Sequence, residues 1–213
     1  MPMNAALEIH DRFVTIAQDL SPVLAKAITR TGPVDLSPSL DIPLPERLCR
    51  AVAGQQLSVK AAASIWGRVV ESADGTSLID HFATTDPQIL RGCGLSGAKA
   101  KALGAIAAAA LAGELDAEAL GKMATGDRTQ QLTQIWGIGQ WTADMLNIFY
   151  FGDPDIWPDG DTTARKTLEK LTSARRKTTR TAARFAPYRS YLALYMWRQA
   201  DAAPLDAASP IDG

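Results

Sequence analysis

Leu132-Thr-Gln-Ile-Trp-Gly-Ile-Gly-Gln-Trp-Thr-Ala143 is the stretch on which the reading of this sequence turns. Two glycines one residue apart, Gly137 and Gly139, let the chain reverse between two helices with its backbone amides exposed. The second helix starts at that turn, so its unpaired N–H groups and the positive end of its dipole face outward together. A phosphate fits such a surface without any side-chain charge. Taken alone, two glycines at a helix junction also suit an ordinary structural turn. Leu132 and Ile135 before them, and Thr142-Ala143 after them, anchor the turn between apolar helix faces.

Helix signals recur on both sides. Ser21-Pro22 and Asp86-Pro87 each put a capping residue before a proline at the first helical position. Ser58 precedes VKAAASIWGRVVESA, whose apolar residues return every three or four positions. The alanine-rich KAKALGAIAAAALAG forms a helix that stops at Gly113. Trp141–Phe151 and Tyr188–Arg198 read as helices with apolar faces, and no alternating strand pattern is evident. Thr31–Pro45 is rich in proline and serine and reads as an extended connector. The tail after Asp201 is small and polar enough to fray. The expectation is an all-α chain of about ten short helices.

Bulk properties narrow the function classes. Hydrophobic residues make up 46% and charged residues 21% of the 213, the balance of a soluble globular protein. No apolar run approaches the roughly 18 residues of a membrane span. The N-terminus lacks a basic and hydrophobic leader, so the expected compartment is the cytoplasm, on the bacterial nucleoid, with no membrane partner. Cys49 and Cys93 stand too far apart for a zinc or iron–sulfur site and read as buried small hydrophobes. With only His10 and His81, a histidine-rich metal site is not expected. The net charge of −1 does not advertise nucleic acid, but its distribution does. Between Thr162 and Arg198 stand Arg165, Lys166, Lys170, Arg175, Arg176, Lys177, Arg180, Arg184, Arg189 and Arg198, against Glu169 alone. That run suits phosphate contact, and it also suits a solvated helix face.

The hairpin resembles that of the helix-hairpin-helix (HhH-GPD) DNA glycosylase superfamily, and more closely the DNA-3-methyladenine glycosylase II branch. The family pattern L-x-x-[IFL]-x-G-I-G-x-W-T-A is matched at every fixed position. Leu48–Trp66 is similar to the family's G-Q-Q-[LIV]-S segment, and Gly94–Lys101 to its G-[LM]-S-x-x-K turn. Asp155–Arg165, DIWPDGDTTAR, resembles the element carrying the catalytic aspartate. Pro187–Trp197 is close to the P-[WY]-R-S-Y-A motif, with Leu192 in place of the alanine.

The resemblance implies two helical lobes with the active site in the cleft between them. Residues 43–153 would form a helical barrel ending in the hairpin motif at about 128–151, and residues 1–42 with 154–213 the second lobe. It implies a monofunctional hydrolase that flips alkylated bases, such as 3-methyladenine and 7-methylguanine, out of double-stranded DNA. Asp161 matches the catalytic aspartate, with Asp159 as competitor and a plain helix N-cap as the structural alternative. Relatives that also cut the strand carry a lysine two residues after the second hairpin glycine, where this sequence has Trp141. Trp141 and Trp197 match aromatic positions of the base pocket, and Met145 stands where some relatives have an aromatic; core packing is the alternative for each tryptophan. Gln56 aligns with the residue that fills the gap left by the flipped base, beside Leu57 and Ser58, while Gln55 and Ser58 also suit helix capping. Gly137, Gly139, Thr142 and Lys99 complete the implied DNA contacts, with Lys101 a further candidate. No cofactor is implied, but the carbonyls of Thr133, Ile135 and Ile138 would hold a sodium or potassium ion at the hairpin. Single-lesion repair implies a monomer.

Other readings remain at this level. A non-catalytic helix-hairpin-helix module would explain the glycines and the basic run, but neither Asp161 nor GQQLS. A glycosylase of the same superfamily with another damaged-base specificity is disfavoured by Trp141 for the oxidised-guanine type, and by the lack of a cysteine quartet for the adenine type. A purely structural helical protein would bury its tryptophans as core.

Overall fold

A computed structural model describes residues 3–200, and the expected fraying tail lies outside them. The described residues contain helices and no strand, so the chain is all-α, as its periodicity implies. Thirteen α-helices and one 3-10 turn are present among them. More helices than expected appear because short segments such as Leu78–Thr84, Pro87–Gly92 and Ala117–Gly121 each have their own cap, Ser77, Asp86 and Asp116 respectively. None of the described helices is long and apolar enough to cross a membrane.

The chain divides into two compact units, residues 39–146 and residues 1–38 with 147–213. The first contains α3 (Leu44–Gly54), α4 (Val59–Ser72), α5 (Leu78–Thr84), α6 (Pro87–Gly92), α7 (Gly97–Leu111), α8 (Ala117–Gly121) and α9 (Thr125–Gln134). It also contains most of α10 (Gln140–Phe149), inside which the chain passes to the other unit. α7 is its central element, with α3, α5 and α6 packed around it. Its alanines make this possible, since a helix with small side chains on every face admits several neighbours closely. Ala100, Ala102, Leu103, Ile106 and Ala107 are buried, as are Cys49 and Cys93, both free thiols. Burial pushes the Cys49 thiol pKa far up, which makes it an inert hydrophobe.

The other unit packs α1 (Met3–Leu20) on α2 (Pro22–Thr31), and α13 (Arg189–Gln199) on both α2 and α11 (Thr162–Leu171). α12 (Thr178–Ala182) and the 3-10 turn Ala183–Phe185 close it. Its core centres on Phe13, whose ring meets Phe185 edge-on at 4.8 Å, with Tyr195 tilted against it at 5.7 Å. The Pro/Ser-rich connector runs without helix from Gly32 to Pro43. Even so, it buries Val34 and Leu36.

Candidate active site and DNA-contacting surface

The hairpin forms between α9 and α10. Ile135 ends α9, its N–H donating to the Leu132 carbonyl at 3.2 Å, and the Ile138 N–H donates back to the Ile135 carbonyl at 3.0 Å. Gly137 adopts φ +90°, a left-handed conformation that a side chain resists, and a Cβ there would lie 2.5 Å from the Ala102 Cβ. The turn therefore sits directly against α7. Gly139 has no such reason to be glycine: its φ is ordinary and nothing lies within 4 Å of a built Cβ. It is exposed at the start of α10, where the Ala143 N–H donates to its carbonyl. The two glycines thus differ in kind, one shaping the turn and one leaving the helix start open. Trp136, 45% exposed, lies beside them with the Lys101 ammonium 4.3 Å above its ring.

Trp141 and Met145 lie one turn apart on α10, Met145 buried and Trp141 half-buried. Thr142 is buried and accepts a 3.0 Å hydrogen bond from Gln55 Nε2. That bond ties the Gly54–Ser58 segment to the hairpin helix. Ser58 caps α4, accepting from Ala61 N, and Gln55 is the C-cap of α3, its N–H donating to the Val52 carbonyl, while its side-chain amide crosses to Thr142. Gln56 is exposed with φ +59°, and Leu57 is half-buried beside it. The Lys99 ammonium turns inward, donating to the carbonyls of Ala53 and Gln55 at 2.9 and 2.7 Å. Asp144, on the same helix as Thr142, is buried beside Gln140, whose amide donates to it at 2.8 Å; burial outweighs that bond and raises its pKa to about 6.

For the suggested ion site, the three carbonyls are hard oxygen donors of the kind sodium and potassium take. Thr133 lies in the last turn of α9, where carbonyls lack intrahelical partners, and the Ile135 carbonyl keeps a second lone pair beyond its bond from Ile138. The residues fit such an ion. Among the described residues no group of three or more His, Cys, Asp or Glu is placed to hold a metal.

In the other unit, Asp161 stands at the N-cap of α11. Its Oδ1 accepts from Ala164 N at 2.7 Å and from Trp197 Nε1 at 2.9 Å. The residue is 9% exposed. The capping alternative is therefore realised, and it coexists with an indole donor that no ordinary cap requires. Trp197 itself is buried, its ring 5.6 Å from Phe149. Asp159 is otherwise engaged, its Oδ1 accepting from Trp157 Nε1 at 3.3 Å and from Thr178 Oγ1 at 3.0 Å.

Two residues hold this loop in place: Arg189, which the sequence placed only in the basic run, and Ser190, to which it gave no role. Arg189 grips Asp155 with Nε on Oδ1 at 2.7 Å and Nη2 on Oδ2 at 2.9 Å, and Nη2 also reaches the Asp155 carbonyl. Buried Ser190 donates to the Asp153 carbonyl at 2.6 Å and accepts from Ile156 N at 3.0 Å. The Arg-Ser pair at the start of α13 thus fixes the loop that carries Asp161, and Trp197 at the end of the same helix holds the carboxylate. The available signal was the spacing: Ser190 and Trp197 lie two turns apart on one helix. All members of the basic run except Arg189 are exposed on α11, α13 or the segment between them.

Residues 49–187 match the sequence pattern of the HhH-GPD superfamily base excision DNA repair proteins. The chain belongs to that superfamily. It is 33% identical over 161 residues to DNA-3-methyladenine glycosylase 1 of Schizosaccharomyces pombe, covering 72% of this chain and 71% of the relative. Among solved structures it is similar to the Schizosaccharomyces pombe 3-methyladenine DNA glycosylase in complex with abasic DNA. That match has a TM-score of 0.75 at 27% identity and covers 95% of this chain and 100% of the other. A DNA-3-methyladenine glycosidase from Bacillus halodurans matches with a TM-score of 0.73 at 28% identity, over 90% of this chain and 88% of the other. Within the superfamily the chain falls in the DNA-3-methyladenine glycosylase II branch. This HhH-GPD protein is a base-excision DNA glycosylase, a hydrolase whose partner is double-stranded DNA.

Proposed function

We propose that this glycosylase removes alkylated bases of the 3-methyladenine and 7-methylguanine type by hydrolysis alone, without cutting the strand. The observation that carries the reading is the Asp161 carboxylate, oriented by the N-terminus of α11 and by the Trp197 indole. Departure of the base moves positive charge onto the sugar, which a fixed carboxylate beside it stabilises more than it stabilises the uncharged sugar of the ground state. Water then supplies the hydroxyl at the anomeric carbon, and its proton leaves through a nearby base, for which Asp161 is the candidate. An N-alkylated purine carries its own positive charge, so it departs readily and is attracted to an indole face such as that of Trp141. Trp141 also occupies the position where a strand-cutting relative would carry its imine-forming lysine, and an indole forms no imine.

A monomer acting on chromosomal DNA in the cytoplasm suits repair of a single lesion. The hairpin amides would take a phosphate, and the carbonyls of Thr133, Ile135 and Ile138 would hold a sodium or potassium ion that supplies positive charge there and performs no chemistry. The names of the relatives support the substrate class. The test is release of free 3-methyladenine and 7-methylguanine from methylated DNA, comparing wild type with Asp161→Asn. Release by wild type, intact abasic strands and near-complete loss in the variant are expected. DNA binding without release by wild type would overturn the catalytic assignment in favour of a binding module.

A further inference from the structure

Residues 54–57 form a tight turn, closed by a 3.2 Å bond from Leu57 N to the Gly54 carbonyl. Gln55, at φ −50° and ψ 135°, and Gln56, at φ +59°, have the backbone signs of a type II turn. The third position of that turn favours glycine or asparagine, because a Cβ in the left-handed region crowds its own carbonyl. Glutamine there is strained, and strain persists only where surrounding contacts over-determine it.

Such contacts surround this turn. The Lys99 ammonium binds the carbonyls of Ala53 and Gln55, on either side of the last residue of α3. Gln55 Nε2 is tied to Thr142 of the hairpin helix. Lys99 is also oddly placed for its own helix. It lies in the first turn of α7, its N–H bonded to the Ser96 cap, where the helix dipole disfavours a cation. At the C-terminus of α3 the same dipole term favours it. Burial lowers the ammonium pKa, a cost that the two carbonyl bonds oppose.

We propose that Lys99 is a positioning residue, a clamp that keeps Gln56 left-handed and so presents Gln56 and Leu57 preformed to the gap in the DNA stack. The proposal rests on the glycosylase reading above for what Gln56 does, but the clamp itself is a property of the free protein. Without it the turn relaxes and the competent conformer becomes a minority, which weakens every step that needs it by that fraction.

The test compares Lys99→Met, which keeps the stem and loses the ammonium, with Lys99→Arg, which keeps a cationic donor. Hydrogen exchange of the Leu57 amide is measured in each free protein. Excision of 7-methylguanine is measured opposite cytosine and opposite an abasic-site analogue, where opening the duplex costs less. Lys99→Met is expected to speed Leu57 exchange and to lower excision opposite cytosine by about 5–30-fold, the population penalty of an unsupported left-handed residue. The loss opposite the analogue should be much smaller, and Lys99→Arg should recover much of both. Equal losses on the two substrates, or unchanged Leu57 exchange, would overturn the clamp. Wild type inactive on both substrates would overturn the glycosylase reading instead, and Leu57 exchange would still decide the clamp.

Discussion

Replacing Trp197 by phenylalanine separates two things that this residue does in the structure. Phenylalanine keeps a large ring in the buried site beside Phe149, but it removes the indole N–H that reaches Asp161 Oδ1 at 2.9 Å. A hydrogen bond to a charged acceptor contributes about 1.5–3 kcal/mol, and both partners here are shielded from water. The Ala164 N–H remains, so Asp161 keeps its cap and loses only one of the two donors seen on that oxygen. If that orienting energy is expressed in the transition state, the turnover rate falls by about 10–100-fold, at 1.4 kcal/mol per factor of ten. Substrate affinity should change little, because the substituted side chain would still offer an aromatic face. The assay is single-turnover release of 7-methylguanine from duplex DNA, with DNA affinity measured separately by fluorescence anisotropy. A wild-type rate for Trp197→Phe would refute the idea that the indole N–H orients the carboxylate. Weaker DNA binding with an unchanged chemical step would place Trp197 in recognition instead.

The two hairpin glycines should respond differently to alanine. Gly137→Ala meets the Ala102 methyl and a left-handed φ, so unfolding measurements should show destabilisation of about 2–4 kcal/mol. Gly139→Ala has space and an ordinary φ; its melting curve should match wild type while DNA affinity falls. Asp144→Asn should stabilise the protein at pH 8 by about 1–3 kcal/mol, because the native pKa near 6 lies above the unfolded carboxylate value and stability falls as pH rises between the two. That gain should vanish near pH 4, where wild-type Asp144 is protonated in the native state, and thermal melts at both pH values check it. Arg189→Met removes the fork that holds Asp155 on a site about one-third exposed, so a loss of about 1–3 kcal/mol is expected. Excision measured well below the melting temperature should fall further than that loss accounts for, because the loop carrying Asp161 is released.

Much of this protein was decided locally. Helix caps at Ser21, Ser58, Asp86 and Asp161 are interactions between near neighbours, so spacing alone revealed them, and the periodicity of the apolar residues sufficed for an all-α chain. The hairpin was legible for the same reason: its glycines, flanking apolar residues and following helix lie within twelve positions. Local pattern could not tell Gly137 from Gly139, because what distinguishes them is Ala102, a residue of another helix. It left Asp159 and Asp161 in competition, since the donors that settle their surroundings, Thr178 and Trp197, come from α12 and α13. It offered Lys99 as a DNA contact but gave no sign that the ammonium reaches back forty-six residues to the Ala53 carbonyl. Capping and periodicity act over one or two helical turns. The direction of a charged or aromatic side chain depends on which distant backbone or carboxylate can satisfy it, and only the packed helices bring those groups within bonding distance.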